Sequence, residues 1–287
     1  MNAVMEKFYK LNAHSHYWYF RIIKRKQHQK RVLDKKENQI SIASLLDEID
    51  IPLDSILFLH VGLQELKSKL NISYDDLTKN IVEELEYKFK PHSIIVPTFT
   101  WSFIESGIYS KELSRSETGK FSEIFRSIAD YRTPNAIQSF CIKSKYHHEY
   151  MTLNHEDTFG VNGIYDYLLG KPTYIIDINT DTFRASPLHH LERLMSSPYL
   201  KADYREFNGY MIDDGKTAKI CQAHGGTYIY EKKYIFNKEK IERFLERHDV
   251  VSSISIGGFK ISYMSNKDMY TLLTQKMKKN PYYPITF

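Results

Sequence analysis

The chain has 287 residues, 42% of them hydrophobic and 14% aromatic, which suffices for a sizeable core and excludes a disordered protein. Two cysteines exclude a disulfide framework, and no apolar run reaches the ~18 residues that a membrane span needs. The net charge of +5 is lopsided: ten Lys or Arg against two acids give residues 1–36 a charge of +8, leaving −3 for the rest, which argues against a protein-wide nucleic-acid surface.

Residues 1–40 read as a basic, aromatic arm and residues 41–287 as one domain. The arm mixes Phe8, Tyr17, Trp18, Tyr19 and Phe20 with cations, a pattern for packing on the body, for oligomer contacts or for an anionic surface such as a membrane. No apolar leader follows the start, so a cytoplasmic protein is expected.

Beyond the arm, residues 41–49 (SIASLLDEI) read as a short helix and Ser55–His60 (SILFLH) as a buried strand. Asp75–Phe89 has helical periodicity at Leu77, Ile81, Val82, Leu85 and Phe89, and Ser93–Val96 is a second buried strand. That spacing predicts a parallel pair with a crossover, and ligands in such sheets sit beyond the carboxyl ends of the strands. Phe121–Ala129 reads as a helix, Ala136–Ile142 as a strand, Phe159–Gly163 as a turn and Ile164–Leu169 as a helix. Thr173–Ile178 (TYIIDI) is a third buried strand. Short strands at Tyr210–Ile212, Ala218–Ala223 and Thr227–Tyr230, a helix at Lys238–Arg247, a hairpin around Gly257-Gly258, a helix at Asn266–Lys276 and an extended tail close the chain. The expected fold class is α/β, an α/β/α sandwich with a mixed, largely parallel central sheet and an irregular C-terminal lobe.

Asp181–Glu192 (DTFRASPLHHLE) follows the third strand. Ser186 is a good N-cap, Pro187 suits the first helical position, and His189 falls in the first turn with Glu192 three residues on, on the same face. Backbone N–H groups at a helix start favour a neutral imidazole. A neutral imidazole beside a carboxylate is what a general base needs. The plainer reading is a half-buried histidine in a helix cap. His60, Pro97–Thr100 and Asp181–His189 all follow predicted strands, however, and so can face one crevice. Other motifs carry less. Cys221-x-x-His224 has no second half for a metal, His147-His148 lies in a polar stretch, and glycine-rich phosphate loops and the G-x-S-x-G elbow are absent.

Seven segments in order, spanning residues 41–275, resemble the aminoglycoside 3-N-acetyltransferase-like superfamily. They include SILFLHVGL (55–63), VPTFT (96–100), GKFSEIFRSIADYRT (119–133), TFGVNGIYDYL (158–168) and the histidine segment itself. PTFTWSF, the Ser-Pro-x-His core, Pro198-Tyr199 and Phe207-x-Gly209 look closer to members that acylate nucleotide-linked amino sugars in surface-polysaccharide pathways. The chain departs from the pattern at Val61-Gly62, usually two hydroxyl residues, and at Asn135-Ala136, usually His-Pro.

The resemblance implies an acyl-CoA-dependent N-acyltransferase working by direct transfer, with no metal. The expected acyl group is acetyl or a short hydroxyacyl. The expected acceptor is a dTDP- or UDP-linked amino sugar for O-antigen or capsule synthesis. The alternatives are an aminoglycoside 3-N-acetyltransferase and a catalytically silent protein that binds anionic surfaces. His189 would be the base, oriented by Glu192 or by Asp181. His60, Val61, Gly62, Thr98, Thr100, Arg132 and Ser186 are the expected coenzyme contacts, with loop amides at Val61-Gly62 or a hydroxyl of Ser186 or Thr98 facing the developing oxyanion. Arg126 is read either as a phosphate contact or as a salt-bridge residue. Homo-oligomerisation is left open.

Overall fold

Alternation along the first strand decides the architecture. In a computed structural model, which describes residues 41–180, 184–198, 205–213, 216–222, 235–256 and 258–286, Ile56 and Phe58 enter one apolar layer. Leu57 and Leu59 enter a second layer on the opposite face. A strand apolar on both faces must be covered on both, which dictates two layers of helix.

In chain order the elements are α1 (Ile42–Leu46), β1 (Ile56–Val61), α2 (Leu63–Leu70), α3 (Tyr74–Phe89), β2 (Ser93–Pro97), α4 (Phe103–Ser106), β3 (Ile108–Tyr109) and α5 (Lys120–Phe125). Then come β4 (Tyr131–Arg132), β5 (Phe140–Lys143), α6 (His148–Met151), α7 (Ile164–Leu169), β6 (Thr173–Ile178), α8 (Pro187–Leu194), β7 (Arg205–Met211) and β8 (Lys216–Gln222). The chain continues through β9 (Ile235–Phe236), α9 (Lys238–Glu246), β10 (Val251–Ile256), β11 (Phe259–Ser265), α10 (Asn266–Lys279) and β12 (Ile285–Thr286).

The central sheet has seven strands in the order β10-β11-β6-β1-β2-β5-β4. Its middle strands β6, β1 and β2 are parallel, and antiparallel strands flank them on both sides. Helix α3 begins at Ser73, whose hydroxyl accepts the Asp76 N–H at 3.0 Å. It lays Leu77, Ile81, Val82, Leu85 and Phe89 on the Leu57 face together with α1, α2 and α5. Helices α7, α8, α9 and α10 cover the Phe58 face. The expected sandwich and mixed sheet are present, and the hairpin and closing helix lie where the sequence puts them.

Three expectations differ. The helix expected over 121–129 stops at Phe125, because the Ser127 hydroxyl donates to the Ile124 carbonyl and competes with the helical ladder. The strand expected from Ala136 starts at Phe140, since the Ala136 and Ser139 carbonyls instead accept the amides of Thr100 and Thr98. The extended tail forms β12, which pairs with β9. The basic arm, Thr227–Tyr230 and His224 lie outside the described residues. No described helix is long and apolar enough to cross a membrane.

The chain crosses from β1 to β2 on one side, and β6 joins β1 on the other. Strand order therefore reverses at β1, which opens a crevice beyond its carboxyl end. Gly62 makes that closure possible. A Cβ there would stand 2.2 Å from the Asn179 carbonyl oxygen, and the Gly62 N–H donates to the Ile178 carbonyl at 2.8 Å.

Candidate active site

Helix α8 carries His189 on the Phe58 face of the sheet. Leu188 and Leu191 point into the core under the helix, and His190 is buried beside them. Tyr270 donates its hydroxyl hydrogen to the Pro187 carbonyl at 2.8 Å, so its own oxygen accepts the His190 Nδ1–H at 2.9 Å. At the other end of the helix Arg193 meets both oxygens of Asp157, at 2.5 and 2.6 Å. Ser186 stands at the expected entrance, but its backbone is already helical and its hydroxyl makes no capping bond.

With the helix fixed in this way, His189 Nδ1 lies 2.7 Å from Glu192 Oε2. The carboxylate is 2% exposed and the imidazole 33%, so a shielded charge faces a ring that solvent can reach. Phe159 stands edge-on at 6.2 Å and Phe236 at 5.4 Å between ring centres. An Nδ1–H donated to Glu192 makes Nε2 the ring atom that accepts a proton. Asp181, the alternative orienting acid, lies outside the described residues.

A second pair was not foreseen. His60 Nδ1 lies 2.8 Å from Asp177 Oδ1, across the β1–β6 rung that sets the two residues opposite each other. Asp177 is the lone acid within the buried run of β6, and an acid in such a run needs a partner. That was the available signal.

The expected coenzyme contacts divide. The Gly62 amide is committed to Ile178, and Val61 sits in the β1–β6 ladder opposite Ile178. Arg132 was expected to meet phosphates, but its guanidinium is buried at 6% exposure and turned inward. It donates to the carbonyls of Thr98, Lys111 and Ser114 and to the hydroxyls of Thr100 and Ser139, with Tyr109 stacked at 5.1 Å. It therefore organises the loop after β2 through both terminal nitrogens. Thr98 and Thr100 belong to the same knot: the Thr98 hydroxyl faces Ser139 at 3.4 Å, and the Thr100 hydroxyl donates to the Arg115 carbonyl at 2.8 Å. Arg126 pairs with Glu123 through two bonds, at 3.0 and 3.2 Å.

Beside this knot lies a cleft of about 530 Å³, lined by Thr100, Ser102, Ser114, Arg115, Glu117 and Lys120 among others. Glu117 accepts the Trp101 and Ser102 amides at 3.1 Å each, whereas Arg115 and Lys120 are exposed cations. Among the described residues no group of three metal-ligating side chains assembles.

The family model for aminoglycoside 3-N-acetyltransferases matches residues 80–278, which contain α8 and both its partners. The chain belongs to this family. It is thus an acyl-CoA-dependent N-acetyltransferase, with acetyl-CoA the co-substrate. No curated protein matches it by sequence. Among solved structures it is similar to AAC-IIIb in a binary complex with CoASH, with a TM-score of 0.66, 14% identity and coverage of 83% of this chain and 96% of that one. The aminoglycoside acetyltransferase AAC(3)-IVa, in complex with a gentamicin, gives 0.64 at 11% identity over 87% and 93% of the two chains. The YokD protein from Bacillus subtilis gives 0.62 at 14% identity over 83% and 92%. At such identities these likenesses concern the fold. The expected closeness to enzymes of nucleotide-linked amino sugars has no counterpart among them.

Proposed function

We propose that the chain transfers an acetyl group from acetyl-CoA to a primary amine of an aminoglycoside, at the 3-amino position that the family's description names. The observation that carries this reading is the His189–Glu192 pair. With Nδ1–H held by Glu192, the Nε2 lone pair takes a proton from the amine as its nitrogen attacks the thioester carbonyl, and the Glu192 carboxylate stabilises the imidazolium that results. Glu192 is taken as the orienting acid, with Asp181 the alternative that the sequence offers. Of the oxyanion donors expected at the outset, the Ser186 hydroxyl fits best, being half-buried, three residues before His189 and not engaged in capping.

We assign the phosphate-bearing end of the coenzyme to the cleft beside β2, where Arg115 and Lys120 stand beside the carboxylates of Glu117 and Glu123 and would have to outweigh them. We place the enzyme in the cytoplasm, where acyl-CoA is found, and treat residues 41–287 as the catalytic unit with the arm as an accessory.

One observation favours a second acceptor. A polycationic aminoglycoside calls for a strongly acidic surface, whereas the chain beyond residue 36 carries only −3 and is preceded by an arm of +8. A nucleotide-linked amino sugar, with its pyrophosphate, suits that balance. Purified protein with acetyl-CoA should release thiol with gentamicin, apramycin or sisomicin. Turnover confined to dTDP- or UDP-linked amino sugars would transfer the proposal to the second acceptor. No thiol release with any amine, and no change on His189→Ala, would defeat both.

A further inference from the structure

The His60–Asp177 pair has no part in the mechanism above. The rungs on either side, Leu59↔Ile176 and Val61↔Ile178, close the same two strands with apolar side chains, so cohesion of the sheet does not require a charge here. Burying a carboxylate is costly unless it is well bonded. Asp177 is 4% exposed, and both its oxygens are engaged: Oδ1 by His60, and Oδ2 by the Arg184 N–H at 2.8 Å. A ring held through Nδ1 by such a carboxylate presents Nε2 as its working atom.

The position of the pair is as telling as its chemistry. His60 stands edge-on to Phe58 at 5.3 Å, and Asp177 alternates in register with Ile175, so both lie on the Phe58 face. That is the face covered by α8, the helix of His189, and His60 stands near the carboxyl end of β1. The Arg184 amide ties the lead-in of α8 directly to Asp177. Two histidine–carboxylate pairs thus belong to one face of the sheet, one of them at the point where strand order reverses.

An acyl transfer to an amine needs two proton movements. One proton must leave the attacking nitrogen, and one must reach the departing sulfur. We propose that His60, backed by Asp177, is the acid that protonates the thiolate in the acyl transfer described above, on which this inference rests. The C–N bond forms as the amine proton passes to His189 Nε2. The C–S bond breaks with its electron pair going to sulfur, which takes the proton from His60 Nε2–H. The products are the amide and the free thiol. His189 then loses its proton to solvent and His60 regains one, so the site resets without an external reagent. Asp177 balances the charge of the protonated imidazole before transfer.

The test compares two donors on the full-length protein, using an amine that the wild type acetylates. Acetyl-CoA releases an alkyl thiolate that needs a proton, whereas S-phenyl thioacetate releases an aryl thiolate that departs without one. His60→Gln should lower kcat on the order of 10²-fold with acetyl-CoA, leave its KM within about twofold, and lower turnover of the aryl thioester less than about threefold. His189→Ala should lose activity with both donors. Asp177→Asn should reproduce the donor-dependent loss of His60→Gln in weaker form, and it decides the matter if His60→Gln does not fold. Independently of turnover, coenzyme A alone should shift the His60 imidazole signal in nitrogen-15 NMR. Equal losses of His60→Gln with both donors, aryl-thioester rescue of His189→Ala instead, or an unmoved His60 signal would each overturn the proposal. A wild type that acetylates no amine with either donor would defeat the proposed function, while the NMR shift would still report on His60.

Discussion

At the scale of single residues, the two members of the His189–Glu192 pair have separable tasks. Removing the imidazole in His189→Ala should lower kcat about 10³-fold, whereas Glu192→Gln keeps a hydrogen-bond acceptor at 2.7 Å and loses only the charge, so its kcat should fall about 10- to 100-fold. Thiol-release kinetics at saturating acetyl-CoA, with KM followed alongside, check both figures; equal losses in the two variants would mean that Glu192 does more than steady a cation. This pair was legible in the sequence because a helix start fixes the three-residue geometry. The His60–Asp177 pair was not, since it joins residues 117 positions apart through strand register, which no local pattern encodes. Arg132 shows the opposite failure. Its charge suggested a phosphate contact, but sequence conveys charge without direction, and the guanidinium turns inward onto carbonyl oxygens.

At the scale of elements, α8 is a short helix positioned by its neighbours. Arg184 ties its approach to Asp177, Tyr270 grips its first carbonyl, and Arg193 locks its last turn to Asp157. Arg193 is partly exposed, so the lock contributes modestly, about 1–2 kcal/mol. Arg193→Met should therefore lower Tm by roughly 2–8 °C and reduce kcat through a less well-placed His189, with the KM for acetyl-CoA little changed. Calorimetry and steady-state kinetics on the same preparation test this, and an unchanged kcat with a lowered Tm would confine Arg193 to stability. Elements with strong periodicity, such as α3, α7 and β6, were readable almost to the residue. Those that answer to distant partners were not: β3 exists because it pairs with β7.

At the scale of the whole molecule, acid sensitivity should follow from buried imidazoles. Burial lowers His190 and His155 to about 4 from an ordinary value of 6.5. Between those values the unfolded chain binds protons that the folded one does not, so stability is fully present above about pH 6.5 and is lost as pH falls toward 4. His190, at 1% exposure, accounts for about 3 kcal/mol of that loss. Urea titrations at pH 7.5 and 5 should show the decline. His190→Asn, which retains a donor toward Tyr270, should flatten it; equal slopes in variant and wild type would place the sensitivity elsewhere.

The short β9–β12 pairing also acts at this scale. Ile285 and Thr286 clip onto Phe236 and Ile235, the Asn237 amide donates to the Pro284 carbonyl at 2.8 Å, and the Phe236 ring stands against His189. Ile285 and Thr286 thereby brace one wall of His189, a side chain almost a hundred residues earlier in the chain. A polypeptide halted before Ile285 would contain every strand of the central sheet and yet lack the strap behind His189. The wall beside the proposed base is thus completed only after the sheet that houses it.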